Sequence, residues 1–236
     1  MDEGDFCEKD DRLMADAMHT LKNMITPINA YAEMIQYGHV KAEKLPEVAE
    51  KISLSANKAA AMCTELMDIF RVRGKLVDER VKEVSPFQLL REFVNMMENN
   101  LYPKQIKVVN ELDSSVNVVC NPDMLKSVFM NLITNAIKFS YPHSKIVVSG
   151  EKSEKNTYNI YFVDEGVGID EKKIQEKLDE NSSYSTIGTA DEQGTGLGLI
   201  LVKNILEKSG GTIRAYNNKD KGATFVITLA MNKENG

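Results

Sequence analysis

The chain has 236 residues, 42% hydrophobic and 27% charged, with a formal net charge of −6. That balance is ordinary for a globular protein, offers no basic field to attract nucleic acid or anionic lipid, and contains no apolar run long enough to span a membrane. Cys7, Cys63 and Cys120 are too far apart for a metal-ligand pattern, and an odd count without a secretory signal implies a reducing, cytoplasmic setting.

The N-terminus "MDEGDFCEKDD" reads as an acidic tail over residues 1–8. From about residue 9 to Tyr37, apolar residues recur at a helical step: Leu13, Ala17, Leu21, Met24, Ile28, Tyr31 and Ile35. Gly38 then suits a C-cap and Pro46 a new helix start. A second helix runs to about Arg73 on Val48, Ile52, Ala56, Ala59, Cys63, Leu66 and Phe70. Two such helices form a hairpin over residues 9–76, and each stripe is wider than its partner alone covers. A homodimer closing a four-helix bundle would bury both stripes; packing on the rest of the chain is the other solution.

Beyond "RGKLVDERVKEVS", a linker and first strand, the texture changes and a second domain, 77–236, begins. "SPFQLLREFVNMMENNLYPK" is a helix with Ser85 as cap and Pro86 first inside. "IKVVNEL" and "VNVVC" are short strands, and "NPDMLKSVFMNLITNAIKFS" is a helix. "KIVVSGEKS" and "TYNIYFVDEG" pair as strands, the second alternating Tyr158, Ile160 and Phe162. Residues 170–193 are polar and read as irregular. "GTGLGLILVKNILEKSGG" is a glycine turn opening a helix, and "GTIRAYNN" and "ATFVITLA" close the chain as strands. Segregated helices with mostly antiparallel strands make an α+β two-layer sandwich behind the hairpin.

Three stretches carry chemistry. In "GTGLGL", Gly194 to Leu199, glycines let backbone approach a phosphate and the following helix supplies unpaired N–H groups; a purely structural turn looks the same. In "DEGVGI", Asp164 ends a strand and can accept a hydrogen bond from the amino group of a base; an ordinary turn is the alternative. In "NLITNAIKF", Asn131 and Asn135 share a helix face with Lys138 a turn on. Amide oxygens suit Mg²⁺ and a lysine suits phosphate, although a solvated polar face reads identically.

Together and in this order, the stretches resemble the sensor histidine kinases and the ATP-binding fold those share with gyrase, heat-shock protein 90 and MutL. "NLITNAIKF" is similar to the N-box, "DEGVGI" to the G1 box, "GTGLGL" to the G2 box and "GATF", residues 222–225, to the last glycine box, so the resemblance spans roughly residues 9–230. It implies that Asn135 ligates Mg²⁺ and Asn131 supports the metal and phosphates, with Lys138 on phosphate and Phe139 closing the N-box. Asp164 would read the adenine amino group in a pocket shaped by Gly166 and Gly168. Gly194, Thr195, Gly196, Leu197 and Gly198 would cradle the phosphates of ATP below a lid, residues 170–193, and Thr224 would complete the pocket.

The chain departs from the family in the lid. Gln175 and Leu178 stand where aromatics are usual, and neither Arg nor Lys lies between Asp179 and Gln193, leaving Lys172, Lys173 or Lys177 to meet the γ-phosphate.

"HTLKNMITPI" resembles the H-box, with His19, Leu21, Lys22 and Asn23 matching. Thr20 replaces the usual acid, Met24 the usual proline, and Pro27 follows. By resemblance His19 is the phosphoacceptor and Asn23 positions water for dephosphorylating a response regulator. A residue at i+1 faces away on a helix, and the short Thr20 hydroxyl suits the backbone one turn back. Asp16, on the face of His19, could stand in for the absent acid.

The family then implies an ATP-dependent protein-histidine kinase of a two-component system, a homodimer passing phosphate to a receiver-domain aspartate, as the cytoplasmic part of a larger or membrane-anchored sensor. The other reading is an ATP-binding module of weak autokinase activity, acting as phosphatase or scaffold.

Overall fold

The computed structural model describes residues 3–73, 81–98, 104–180, 189 and 196–231; within these, the side chains of residues 3–13, 73, 97, 98, 177 and 180 are left aside. The chain opens with two long helices. α1, Glu3–Gln36, includes most of the stretch expected as an acidic tail, since neither proline nor a strong breaker interrupts it before Pro27. Gly38, at φ 69°, ends the turn after α1, a left-handed position that glycine takes without strain. A single 3₁₀ turn, Ala42–Lys44, leads into α2, Leu45–Arg73.

The two helices pack along one face each. On α1, Ala17 is fully buried and Leu21, Met24, Ile28 and Tyr31 are partly so. On α2 the buried line is Val48, Ala59, Met62, Leu66, Ile69 and Val72. The line read from the sequence drifts off that face: Ala56, Cys63 and Phe70 are exposed. A strict step of seven departs steadily from the helical repeat, so those three residues fall on the flank.

Past the hairpin, β1, Lys82–Val84, pairs antiparallel with β3, Val118–Cys120. α3, Pro86–Glu98, starts on a proline whose missing N–H costs nothing there, and Ser85 Oγ accepts from the Gln88 amide. The main sheet has the order β2-β4-β5-β7-β6. Its strands are β2, Lys107–Glu111; β4, Lys145–Ser153; β5, Thr157–Asp164; β6, Thr212–Asn217; and β7, Ala223–Ala230. β2 runs parallel to β4, and every other neighbour is antiparallel.

β5 alternates as its sequence requires, with Tyr158, Ile160, Phe162 and Asp164 on the buried face. That face is covered by α4, Pro122–Phe139, and α6, Gly198–Lys208, and Phe129 of α4 meets Phe162 edge to face at 5.2 Å. Asn121 caps α4, its side chain accepting from the amides of Asp123 and Met124. Gly150 lets Tyr158 lie across β4: a Cβ there would sit 2.0 Å from the phenol oxygen.

Residues 171–180 correct the expectation of irregular chain over 170–193. They form a helix, α5, Glu171–Glu180. Asp170 Oδ1 accepts from the Lys173 amide, Gln175 bonds Asp179 one turn on, and Leu178 is 5% exposed. A capping acid and one apolar pair at helical spacing outweigh a polar composition.

Hairpin and sandwich share a continuous core. Met62, Leu66, Ile69 and Val72 join the same cluster as Leu132, Phe162, Leu201 and Leu206. α6 is the element between them: it packs on α2 and α4, and Lys208 Nζ donates to the Val72 carbonyl at the end of α2.

Candidate functional site

Asp164 is 4% exposed at the end of β5. Its Oδ1 accepts from the Gly166 amide at 2.8 Å and the Ala223 amide at 3.2 Å. Burial pushes its carboxyl above the ordinary carboxylate range, and those two hydrogen bonds pull it partly back. The other oxygen has no protein partner among the described residues and remains an acceptor for a ligand donor.

The backbone presses closely around it. A Cβ on Gly222, at φ 80°, would lie 2.0 Å from the Asp164 carbonyl oxygen; one on Gly166 would lie 2.2 Å from the Phe139 carbonyl oxygen. Gly168 sits at φ 76°, and Asn217 brackets the turn there, donating to the Ile169 carbonyl and accepting from the Ile169 amide. Asn218 donates to the Asp164 carbonyl at 2.9 Å and accepts from Thr224 Oγ1 at 2.6 Å. Thr224, expected around the nucleotide, is 3% exposed and braces the strand behind Asp164. Asn217 and Asn218 escaped the sequence reading because in "GTIRAYNN" they read only as the end of a strand.

The asparagine helix joins the same place. Val167 N donates to the Phe139 carbonyl at 3.1 Å, and Ser140 bridges to Gly166. Asn131 donates to Ser127 O at 2.9 Å, and its Oδ1 would lie 2.3 Å from a Cβ on Gly198. The first residue of α6 must therefore be small for α4 to come this close. The N-cap residue Leu197 has no side-chain cap bond to α6, and the first-turn N–H groups of a helix are the kind that receive anions. Asn135 is half-buried, with no hydrogen bond to its amide among the described residues. Lys138 Nζ lies 4.6 Å from the centroid of the Phe139 ring. Gly196, at φ 80°, and Leu197, fully buried, lead into α6; Gly194 and Thr195 lie outside the described residues.

Lys104 was also missed. It is 5% exposed, and its ammonium donates to the carbonyls of Lys138, Ile137 and Ser140 at the end of α4, and to Thr189 Oγ1. Sequence cannot signal a contact made across 34 residues of chain.

The hairpin carries the second cluster. His19 and Asn23 are exposed on α1, one turn apart, with Asn23 Nδ2 3.3 Å from His19 Nδ1. Thr20 Oγ1 donates to the Asp16 carbonyl at 2.9 Å. No hydrogen bond or ion pair joins Asp16 to His19 among the described residues, although the spacing puts them on one face. Those residues include no helix long and apolar enough to cross a membrane, and no His, Cys, Asp and Glu cluster able to hold a metal.

Residues 120–233 match the family of histidine kinase-, DNA gyrase B- and HSP90-like ATPases. That match covers just under half of the chain and takes in the helix of Asn131 and the strand end of Asp164. Among curated relatives, the Sensor-like histidine kinase SenX3 of Mycobacterium bovis is 25% identical over 219 residues, 92% of this chain and 52% of the relative. The Sensor protein SrrB of Staphylococcus aureus is 27% identical over 227 residues, 92% of this chain and 37% of the relative. The chain thus spans about half or less of the relatives it matches. Among solved structures, the Acinetobacter baumannii histidine kinase AdeS superposes with a TM-score of 0.73 at 21% identity, over 91% of this chain and 98% of that one. Histidine kinase ThkA, solved in complex with the response regulator protein TrrA, superposes with a TM-score of 0.71 at 21% identity, over 94% of this chain and 62% of that one. The likeness to these two structures extends over hairpin and sandwich alike, and is one of fold.

Proposed function

We propose that this histidine kinase core phosphorylates itself on His19 from Mg-ATP and passes the phosphoryl group to an aspartate of a response regulator. The observation that carries the reading is one chain holding both a buried carboxyl at Asp164, with one oxygen left to accept, and an exposed imidazole on the hairpin. Asp164, with its free oxygen, would take the adenine amino group. Asn135, whose amide has no described partner, and Asn131, turned toward Gly198, fit a hard cation that retains waters and bridges phosphates. When bound, Mg²⁺ supplies charge neutralisation at the phosphate oxygens.

Within this scheme the α6 N-terminus and its glycines hold the phosphates, and His19 supplies the nucleophile. A lone pair on His19 Nε2 forms the bond to the γ-phosphorus while the bond to the β–γ bridging oxygen breaks, and ADP leaves with that electron pair. The proton on Nδ1 is then released to solvent.

The partner assignment rests on ThkA having been solved with a response regulator. The relatives' names favour the kinase over the alternative, an ATP-binding module of weak autokinase activity acting mainly as phosphatase or scaffold. Assembly as a homodimer is supported by the apolar residues the hairpin leaves outside, Met18 at 56% and Met67 at 72% exposed. Incubation with γ-labelled Mg-ATP should give an acid-labile, base-stable label that a receiver domain then removes. A protein that binds ATP but takes up no label would overturn the proposal.

A further inference from the structure

His19 has two ring nitrogens in different situations. Nδ1 faces the Asn23 amide at 3.3 Å, whereas Nε2 has no partner among the described residues. Nε2 is therefore the nitrogen open to an incoming phosphorus. A neutral imidazole carries a single proton, so Nε2 has a free lone pair only when that proton sits on Nδ1. The group opposite Nδ1 decides which form is held.

A carboxylate opposite Nδ1 can only accept, so it keeps the proton there and leaves Nε2 reactive. Among the described residues no carboxylate bonds the ring. Thr20 is turned to the Asp16 carbonyl, and the Asp16 side chain does not reach His19. Asn23 is the single side chain on the imidazole among the described residues, and an amide has two unlike ends. Its carbonyl end would accept from Nδ1–H; its amino end, the one facing the ring, donates to Nδ1 and leaves the proton on Nε2.

We propose that Asn23 is the positioning residue that sets the tautomer of His19, and that its amino end holds the ring in the Nε2–H form until the amide turns over. The histidine then carries its own brake. A half-turn about one side-chain bond of Asn23 releases it, without any change in the helix. The inference rests on His19 being the phosphoacceptor. It differs from any role of Asn23 toward a partner, because it acts on the resting, unphosphorylated ring.

Nitrogen NMR of ¹⁵N-histidine-labelled full chain tests it directly, since the two tautomers give distinct ring-nitrogen shifts. Asn23 is exposed, so isosteric change leaves the core alone. The parent should show His19 with its proton on Nε2. Asn23→Asp, which can only accept, should move the proton to Nδ1, and Asn23→Ala should fall between them. With the tautomer moved, labelling from γ-labelled ATP should rise at least about tenfold in Asn23→Asp, at unchanged KM for ATP. Identical ring-nitrogen shifts in the parent and Asn23→Asp would overturn the proposal. A moved tautomer with an unchanged rate would overturn the brake. Label retained in His19→Gln would instead overturn the phosphoacceptor assignment, and the tautomer result would stand apart from it.

Discussion

Asp164 is placed by a balance that works against stability. Its raised pKa means that folding favours the neutral carboxyl, so its contribution is fully present below the unfolded value of about 4 and is lost as pH rises through the folded value. Above that window the apo protein carries a buried carboxylate at a net penalty, which a bound donor relieves. Asp164→Asn keeps an acceptor for the Gly166 and Ala223 amides and removes the charge. Its apo melting temperature at neutral pH should match or exceed the parent's, the gap narrowing toward pH 4. ATP affinity measured by calorimetry should meanwhile fall by about 1.5–3 kcal/mol, typical of a charged hydrogen bond. Unchanged affinity would remove Asp164 from the site.

Thr20 poses the complementary question. Its hydroxyl is occupied by the Asp16 carbonyl and contributes nothing to His19. Thr20→Glu supplies an adjacent acid and should raise the rate of autophosphorylation at least about tenfold, a small part of what a positioned base contributes. A parent rate already equal to the variant's would show Thr20 to be harmless. Asp16, which shared the face by spacing, shows why i, i+3 proximity is only an opportunity: a side chain must also turn toward its neighbour.

At the scale of elements, α4 is held from its far end. The Lys104 ammonium gathers the last carbonyls of α4, which have no partners within the helix, and ties Thr189 to them. Lys104→Met should lower stability by about 1.5–3 kcal/mol, the range for hydrogen bonds to a charged group, as a shifted urea midpoint at constant slope. A midpoint within error of the parent's would mean that water replaces the lysine. The same helix shows what sequence could and could not tell. Its bounds were legible because Asn121, Pro122 and an apolar stripe all agree. The Lys104 cap was not, because the contact joins a loop to a helix end far along the chain. α5 was missed because its one buried anchor, Leu178, is surrounded by charge. The glycine boxes were legible as motifs, but the bracing of Asp164 by Asn218 and Thr224 is a product of strand register.

For the whole molecule, two unfinished surfaces matter. α6 begins against Asn131, where the phosphates would sit, and ends on the Val72 carbonyl of the hairpin, so one helix connects the proposed nucleotide end to the hairpin that carries His19. The hairpin in turn leaves Met14, Met18, Ile25, Met67 and Phe70 exposed, more apolar surface than a solitary hairpin keeps in water. Light scattering should give a dimer mass at tens of micromolar, and Met67→Glu with Phe70→Glu should give a monomer of unaltered helix content. A parent monomer under those conditions would reject the bundle.

The central claim is that His19 receives phosphate from ATP bound in the domain that Asp164 serves. Quantitative labelling of His19→Gln with γ-labelled Mg-ATP, alongside a calorimetric check that the variant still binds nucleotide, tests it most directly. The account predicts normal binding and a label reduced to background. A variant that binds ATP and is labelled as fully as the parent would contradict it.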